Sequence, residues 1–263
     1  MKAYLYFIKV RVLVSMAYRF EAISSICVQF ILLMINAFFW RAVFANRDTV
    51  QNVDLYQMLI FSVMATLLSC FFVGTVEHKL RQRIRDGSVA LDYIKPVSLF
   101  KMFFAEDIGE IAVNVIQRAI PIIIFSSFLI VVPLPASAVH LFLFLLSACI
   151  SLLILWFIAA IFGLLNFWLI DLGPIGSVKD HVIAFLSGSI VPIWFFPGAV
   201  QRVLAFMPFI YTYQTPIGIY IGRTAPQTAI MEIGIQAVWC VFFYGLFTLI
   251  KSRALKNIMV QGG

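Results

Sequence analysis

Long apolar segments dominate the chain, and most of them are long enough to cross a membrane as helices. Spanning roughly 30 Å of hydrocarbon takes about 20 residues in helical conformation. The pattern predicts about six spans within a single transmembrane domain, residues 1–263, and hence an all-α integral membrane protein. The spans lie at about Ala22–Phe44, Leu55–Val76, Ile111–Val132 and Val139–Ile170, with a fifth beginning near Val182 and a sixth at about Ile233–Ile250.

The composition requires a lipid environment. Hydrophobic residues make up 63% of the 263 residues, charged residues only 12%, and the mean hydropathy is +1.02. Soluble domains carry roughly 45–50% apolar and about 25% charged residues. The formal net charge of +7 is typical of cytoplasmic loops that face anionic lipid. We therefore expect the lipid bilayer, and no nucleic acid, as a partner.

The distribution of basic residues predicts the orientation. With a cytoplasmic N-terminus and alternating spans, fourteen of the 19 Lys and Arg residues lie inside, in agreement with the positive-inside rule. Both termini are then cytoplasmic. Residues 1–21 are basic, lack a cleavable signal pattern and predict a helix lying at the membrane surface. The basic residues left outside are Arg41, Arg47, Arg202 and Arg223.

A charged stretch, residues 77–100, follows the second span. Four basic residues at a spacing of two place Lys79 with Arg83, and Arg81 with Arg85, as helical neighbours. Asp86-Gly87-Ser88 is a helix stop and turn, and Pro96 ends a second short helix. This pattern indicates a cytoplasmic hairpin that docks onto a soluble partner. The alternative, a basic loop that only sets topology, stays open at this point.

The second break lies at residues 192–226, which hold five of the ten prolines yet remain apolar and aromatic. Interior prolines interrupt a helix, so we do not expect one straight span here. The pattern predicts short re-entrant helices that dip into the outer leaflet, where broken backbone is tolerated only against protein or a cavity. An extracellular loop with an aromatic belt is the alternative.

Residue types that carry catalysis are scattered. The four Cys and three His show no metal-ligand spacing, and there is no phosphate-binding or nucleophile motif. Glu106, Asp107 and Glu110 could share a helical face, which favours a solvated end of the third span over acid–base chemistry. We predict no enzyme, no catalytic residue, no metal site and no bound cofactor.

Arg118 is the main charge inside a predicted span. At a helix centre it costs about 2.5–3.5 kcal/mol on insertion scales. The sequence favours a pair with a carboxylate, such as Glu110, over a contact with substrate. Spans this poor in ionisable groups point to an external energy source, because ion-coupled transporters place such groups at mid-membrane.

The order of these elements resembles the permease subunits of ABC transporters of the second, ABC-2-type exporter class. The first likeness is Arg85-Asp86-Gly87, Leu91-Asp92 and Lys95-Pro96-Val97, and the second is Phe196-Pro197, Met207-Pro208-Phe209, Thr215-Pro216 and Tyr220-Ile221-Gly222. The resemblance implies an ATPase-coupling element with Lys79, Arg81, Arg83, Arg85, Asp86, Gly87, Leu91, Asp92, Lys95 and Pro96. It implies an outer gate with Phe196, Pro197, Pro208, Phe209, Pro216 and Gly222.

The resemblance also implies separate ATPase subunits that use ATP and Mg, and a second permease, identical or paralogous. We expect export of a hydrophobic or amphipathic peptide, lipid or drug across a bacterial inner membrane. The alternative is an ATP-independent module such as a lipid scramblase or a membrane scaffold. A membrane enzyme that uses Glu106 or His78 is a third hypothesis.

Overall fold

The protein is helical in a computed structural model that describes residues 2–17, 19–72, 75–94, 97–130, 132–169 and 173–258. The first half contains a two-stranded antiparallel hairpin, β1 (Thr49–Val50) and β2 (Val53–Asp54). Its helices are α1 (Lys2–Ala17), α2 (Arg19–Val43), α3 (Leu55–Phe71), α4 (Thr75–Arg85), α5 (Val89–Ile94), α6 (Leu99–Asn114), a π-helix (Val115–Ala119) and α7 (Ile120–Leu129).

The second half combines two long helices with several short ones. They are α8 (Ala138–Leu165), α9 (Gly173–Leu186), a 3₁₀ turn (Ile193–Phe195), α10 (Gly198–Ala205), a second 3₁₀ turn (Phe209–Tyr211), α11 (Gln214–Tyr220) and α12 (Pro226–Ile258). Within the described residues, five stretches are long and apolar enough to cross a membrane: Ile23–Val43, Leu55–Arg85, Leu99–Phe128, Ala138–Leu165 and Pro226–Ala254. These helices confirm the prediction of an all-α integral membrane protein.

The predicted fifth span differs from a regular one. The chain there forms α9, a helix of 14 residues that begins at Gly173 and ends at Leu186, too short for the roughly 20 residues of a full crossing. The region around Gly188, which has a φ of +80°, turns the chain into the short helices that follow.

The third span begins earlier than the apolar pattern predicts. The helix starts at Leu99 instead of Ile111 and runs through Glu106, Asp107 and Glu110. These acidic residues are tolerated inside the helix because each pairs with a basic side chain from another element. The prediction that they form a solvated helix end is wrong for Asp107, which is 2% exposed.

The prolines of residues 192–226 begin the short helices of this segment. Pro192, Pro197 and Pro208 each directly precede a helix, Pro216 lies in the first turn of α11, and Pro226 is the first residue of α12. A proline is compatible with these positions because the first backbone N–H groups of a helix have no intrahelical acceptor. The predicted run of short helices between the last two spans is confirmed.

Helices α8 and α12 pack side by side and run in the same direction. Ser147 contacts Gln236 near their beginnings, and Phe157 contacts Tyr244 further along both helices. The chain between them must therefore return along the whole length of the bundle, so α9 and the short helices together make the remaining crossing.

The bundle has two distinct ends. The proline-rich end holds the β-hairpin, the beginning of α8 and residues 192–226, joined by hydrogen bonds such as Ala136 N to Tyr220 O (3.0 Å) and Arg223 Nη1 to Gln51 O (2.9 Å). The basic end holds α4, α5 and the end of α12, where Phe100 packs on Phe247. Helix α3 is the most buried span and α2 and α12 are among the most exposed.

Candidate functional site

The charged stretch after the second span folds into a helical hairpin of α4 and α5. The turn between them uses Gly87 with a φ of +69°, a conformation that favours glycine. Arg83 forms an ion pair with Asp92, which is 4% exposed. The guanidinium of Arg83 also lies 5.1 Å from the ring centre of Phe103 on α6. The hairpin is thus fixed to itself and to the third span.

The predicted coupling residues divide into an outward and an inward set. Arg85, Asp86, Gly87 and Leu91 are exposed, Leu91 by 64%. Lys79, Arg83 and Asp92 face the protein's own helices. Arg81 is partly buried beside His78. Lys95 and Pro96 lie outside the described residues.

Asp107 is the centre of the inward contacts. It accepts hydrogen bonds from the hydroxyl of Thr75, from Lys79 Nζ at 3.0 Å and from the indole of Trp156 at 2.9 Å. Lys79 also lies 3.0 Å from Glu106. One carboxylate therefore joins α4, α6 and α8. Gly163 lets α4 approach α8 closely, because a Cβ there would lie 3.2 Å from the Cα of Glu77.

A cavity of about 690 Å³, here called the charged cavity, lies against this network. Its walls include Thr75, Lys79 and Gln82 of α4 and Lys179 and Ile183 of α9. Lys179 pairs with Glu77, so α4 and α9 are joined across the cavity wall. A displacement of α4 would change the shape of this cavity.

A second cavity of about 600 Å³, here called the polar cavity, lies between α2, α3 and the π-helix. Its side chains are unusual for a membrane span, with Asn36, Ser62, Thr66 and Arg118 among them. The π-helix has a local cause: Pro121 has no backbone N–H to donate, and Ile120 N–H bonds to Val115 O, five residues back.

Arg118 does not pair with Glu110, contrary to the sequence prediction. Glu110 instead accepts hydrogen bonds from Arg11 on α1 at 2.6 and 2.9 Å. Gly109 allows this approach, since α1 passes so near that a Cβ would lie 2.8 Å from Ile8 O. Among the described residues no carboxylate forms an ion pair with Arg118, and its side chain faces the polar cavity.

The two cavities meet at Ser69 and Tyr213, which line both of them. Phe72 packs edge-to-face on Tyr213, with ring centres 4.9 Å apart. Phe72, Tyr213 and Ser69 therefore separate the charged cavity, near the basic end, from the polar cavity, which lies deeper in the bundle.

Two of the predicted outer-gate residues, Phe196 and Phe209, pack with α9. Phe196 packs on Phe185 of α9 with ring centres 5.3 Å apart, and Phe209 packs in the cluster of Ile183. Pro208 and Pro216 are buried, whereas Pro197 and Gly222 are exposed. Tyr220 donates a hydrogen bond to Pro133 O at 2.7 Å.

A family model described as "ABC-2 family transporter protein" matches residues 30–262. The chain belongs to the ABC-2 transporter family. The resemblance noted in the sequence is confirmed, and the chain is the membrane permease component of an ABC transporter. No curated protein shows significant similarity to it.

Membership of this family bears on the energy source of the transporter. Permease components of this kind usually lack an ATPase site of their own, and membership of the family implies association with ABC ATPase partners. In such a permease, the hairpin of α4 and α5 is a surface that an ATPase partner could bind, and the two cavities are spaces that a substrate could occupy.

Sequence reasoning missed a buried polar cluster on the permease's parallel helices. Gln236 is fully buried; it accepts from Ser147 Oγ at 2.9 Å and donates to Ser151 Oγ at 3.0 Å and Tyr211 O at 2.5 Å. The cluster fixes the second 3₁₀ turn to α8 and α12. A glutamine within an apolar span was the available signal, because such groups need a partner in hydrocarbon.

Proposed function

We propose that this permease is the transmembrane subunit of an ATP-driven exporter in a bacterial inner membrane, with both termini in the cytoplasm. Two permeases, identical or paralogous, frame the pathway, and two separate ATPase subunits bind the basic end. ATP and Mg are used by the partners, and the permease itself binds no cofactor. The cargo is a hydrophobic or amphipathic molecule, such as a peptide, lipid or drug.

One observation carries this proposal: α4 has two functional faces. Its C-terminal end carries the exposed Arg85, and the chain continues through the turn at Asp86 and Gly87 to the exposed Leu91 of α5. Its inner face contributes Thr75 and Lys79 to the charged cavity. A partner that moves the hairpin therefore changes the cavity without any intervening flexible linker.

The contacts of α4 supply a route for such a movement. Lys79 and Asp107 connect it to the third span, and Glu77 and Lys179 connect it to α9. At its far end α9 packs on the segment of residues 192–226, where Gln214 N donates to Ser187 O at 3.1 Å. We infer that closure of the ATPases is transmitted along α6 and α9, and that the aromatic segment then opens.

The character of the pathway matches an amphipathic cargo. The charged cavity combines Lys79 and Asp107 with apolar walls such as Phe104, Leu155 and Ile183. The polar cavity beyond Tyr213 offers hydroxyl and amide groups beside Val28 and Leu32.

Co-purification of the complex tests the proposal. The tagged full-length permease, isolated from its native membrane, should retain a subunit that hydrolyses ATP. The double variant Arg85→Glu and Leu91→Asp should lose at least about 90% of that subunit, because it reverses a charge and removes the exposed apolar contact.

The matched control is Arg202→Glu, an exposed charge reversal on α10 in the proline-rich segment, away from the basic end, which should keep the partner. Retention of the partner by the hairpin variant would refute the docking site. Purification of the permease alone as a homo-oligomer with undiminished transport would refute the ATP-driven function and favour the scramblase alternative.

A further inference from the structure

The polar cavity joins a positive, polar interior to an apolar rim. Arg118, Asn36 and Thr66 contribute the interior, whereas the rim includes Val28 and Leu32 of α2 and Ile190, which are 56%, 59% and 54% exposed. A side chain that exposed on a candidate membrane span contacts acyl chains or other apolar groups. The cavity is therefore polar inside and apolar at its opening.

The electrostatics of the cavity favour an anion. Arg118 is the one charged residue among the described residues that line it, and no carboxylate there neutralises the guanidinium. A guanidinium presents a rigid fork of donors that matches carboxylate and phosphate groups. The side-chain amide of Asn36 adds a donor from α2, whereas the hydroxyls of Ser62 and Thr66 donate to carbonyls of their own helix, Met58 O and Ser62 O.

The backbone around Arg118 is also atypical. A π-helix widens the turn at Val115–Ala119 and carries Arg118 on its fourth residue. Such one-turn π-helices occur frequently at functional sites. An arginine inside a span is costly, and this one has no carboxylate partner among the described residues and lines an open cavity, which favours a bound ligand.

We propose that the polar cavity binds the anionic headgroup, a phosphate or carboxylate, of an amphipathic molecule, with Arg118 as the anchor and the apolar chains lying over Val28, Leu32 and Ile190. That this molecule is the cargo rests on the proposed function; its binding does not. The cavity binds the headgroup, and the apolar chains pass over the exposed rim into the membrane.

Lipid retention by the purified full-length permease, without its ATPase, tests the binding. The chain is exchanged into detergent micelles that contain equal amounts of phosphatidylglycerol and phosphatidylcholine with the same acyl chains. Native mass spectrometry then counts the bound lipids. We expect a clear preference for phosphatidylglycerol that Arg118→Gln lowers about 10- to 100-fold, as the loss of a charge-assisted contact would.

Three further variants and a competitor keep the test decisive. Arg118→Lys retains the charge and should bind more phosphatidylglycerol than Arg118→Gln. Thr66→Leu keeps Arg118 but fills the interior and should also lose the lipid, which matters if Arg118→Gln fails to fold. Arg41→Gln removes an exposed arginine of α2 and should change nothing. Glycerol phosphate, which has the head without chains, should not displace the lipid at equal concentration.

Equal retention of the two lipids, or unchanged retention in a folded Arg118→Gln and in Thr66→Leu, would overturn the proposal. Displacement by glycerol phosphate would reduce the cavity to a simple anion site and overturn its amphipathic part. Because the lipid assay contains no ATPase, purification of the parent permease without an ATPase partner would refute the proposed function and leave the lipid result standing. The two proposals can therefore fail separately.

Discussion

At the scale of single residues, the permease places most of its inward-facing charges in pairs that join helices. Asp107 holds Lys79, Thr75 and Trp156, and Glu110 holds Arg11. A buried charge is stable only when its partners satisfy it, so removal of one member leaves the others unpaired. These pairs lie where α4 and α1 meet the third span.

We expect Asp107→Ala to destabilise the permease more than any exposed substitution near it. Thr75, Trp156 and one contact of Lys79 lose their acceptor, which costs about 1–3 kcal/mol for buried polar groups. The unfolding midpoint in detergent, followed by tryptophan fluorescence, should fall by several degrees. The control is Asp180→Ala on α9, whose side chain is 69% exposed and whose loss should be nearly neutral. Equal shifts in the two variants would contradict the central role of Asp107.

At the scale of elements, the length of each apolar run and the positions of helix-breaking residues predict most of the helices. The features that these patterns do not predict depend on side-chain pairs between helices. The spans around α3 and α8 follow from apolar runs, and the hairpin follows from Gly87. The early start of α6 at Leu99 could not be predicted, because its acidic residues are stabilised by partners about 30 to 100 positions away. The polar cavity likewise depends on side chains from helices distant in sequence.

Close helix contacts at glycine give a prediction at this scale. Gly109→Val should push α1 away from α6, because even a Cβ would lie 2.8 Å from Ile8 O. Overpacking of this kind costs about 1–3 kcal/mol, and the Arg11–Glu110 pair should weaken with it. Thermal unfolding in detergent measures the loss.

The matched control for Gly109→Val is Gly234→Val on α12, where an added Cβ meets nothing within 4 Å. The control should stay within about 0.5 kcal/mol of the parent, as exposed substitutions usually do. If Gly234→Val lost as much stability as Gly109→Val, the valine side chain itself, and not the close approach of α1, would be the cause of the destabilisation.

At the scale of the whole molecule, the parallel course of α8 and α12 decides the topology. Five long spans alone would place the ends of the chain on opposite sides of the membrane. Because the beginnings of α8 and α12 share the proline-rich end, α9 and the short helices must return the chain to it. The hairpin and the end of α12 then lie together at the basic end, beneath both cavities, where the ATPase partners are proposed to bind.

Labelling of single cysteines tests this arrangement in cells. In a chain whose four cysteines, Cys27, Cys70, Cys149 and Cys240, are replaced by alanine, Ala136→Cys and Ala225→Cys mark the exposed beginnings of α8 and α12. Both should react with a membrane-impermeant maleimide in intact cells. Ser252→Cys, exposed near the end of α12, should react only after permeabilisation, because positive residues such as Lys251 and Arg253 favour the cytoplasmic side. If Ala136→Cys and Ala225→Cys labelled from opposite sides, the segment between α8 and α12 would not cross the membrane, and α9 could not carry movement from the hairpin to the outer segment.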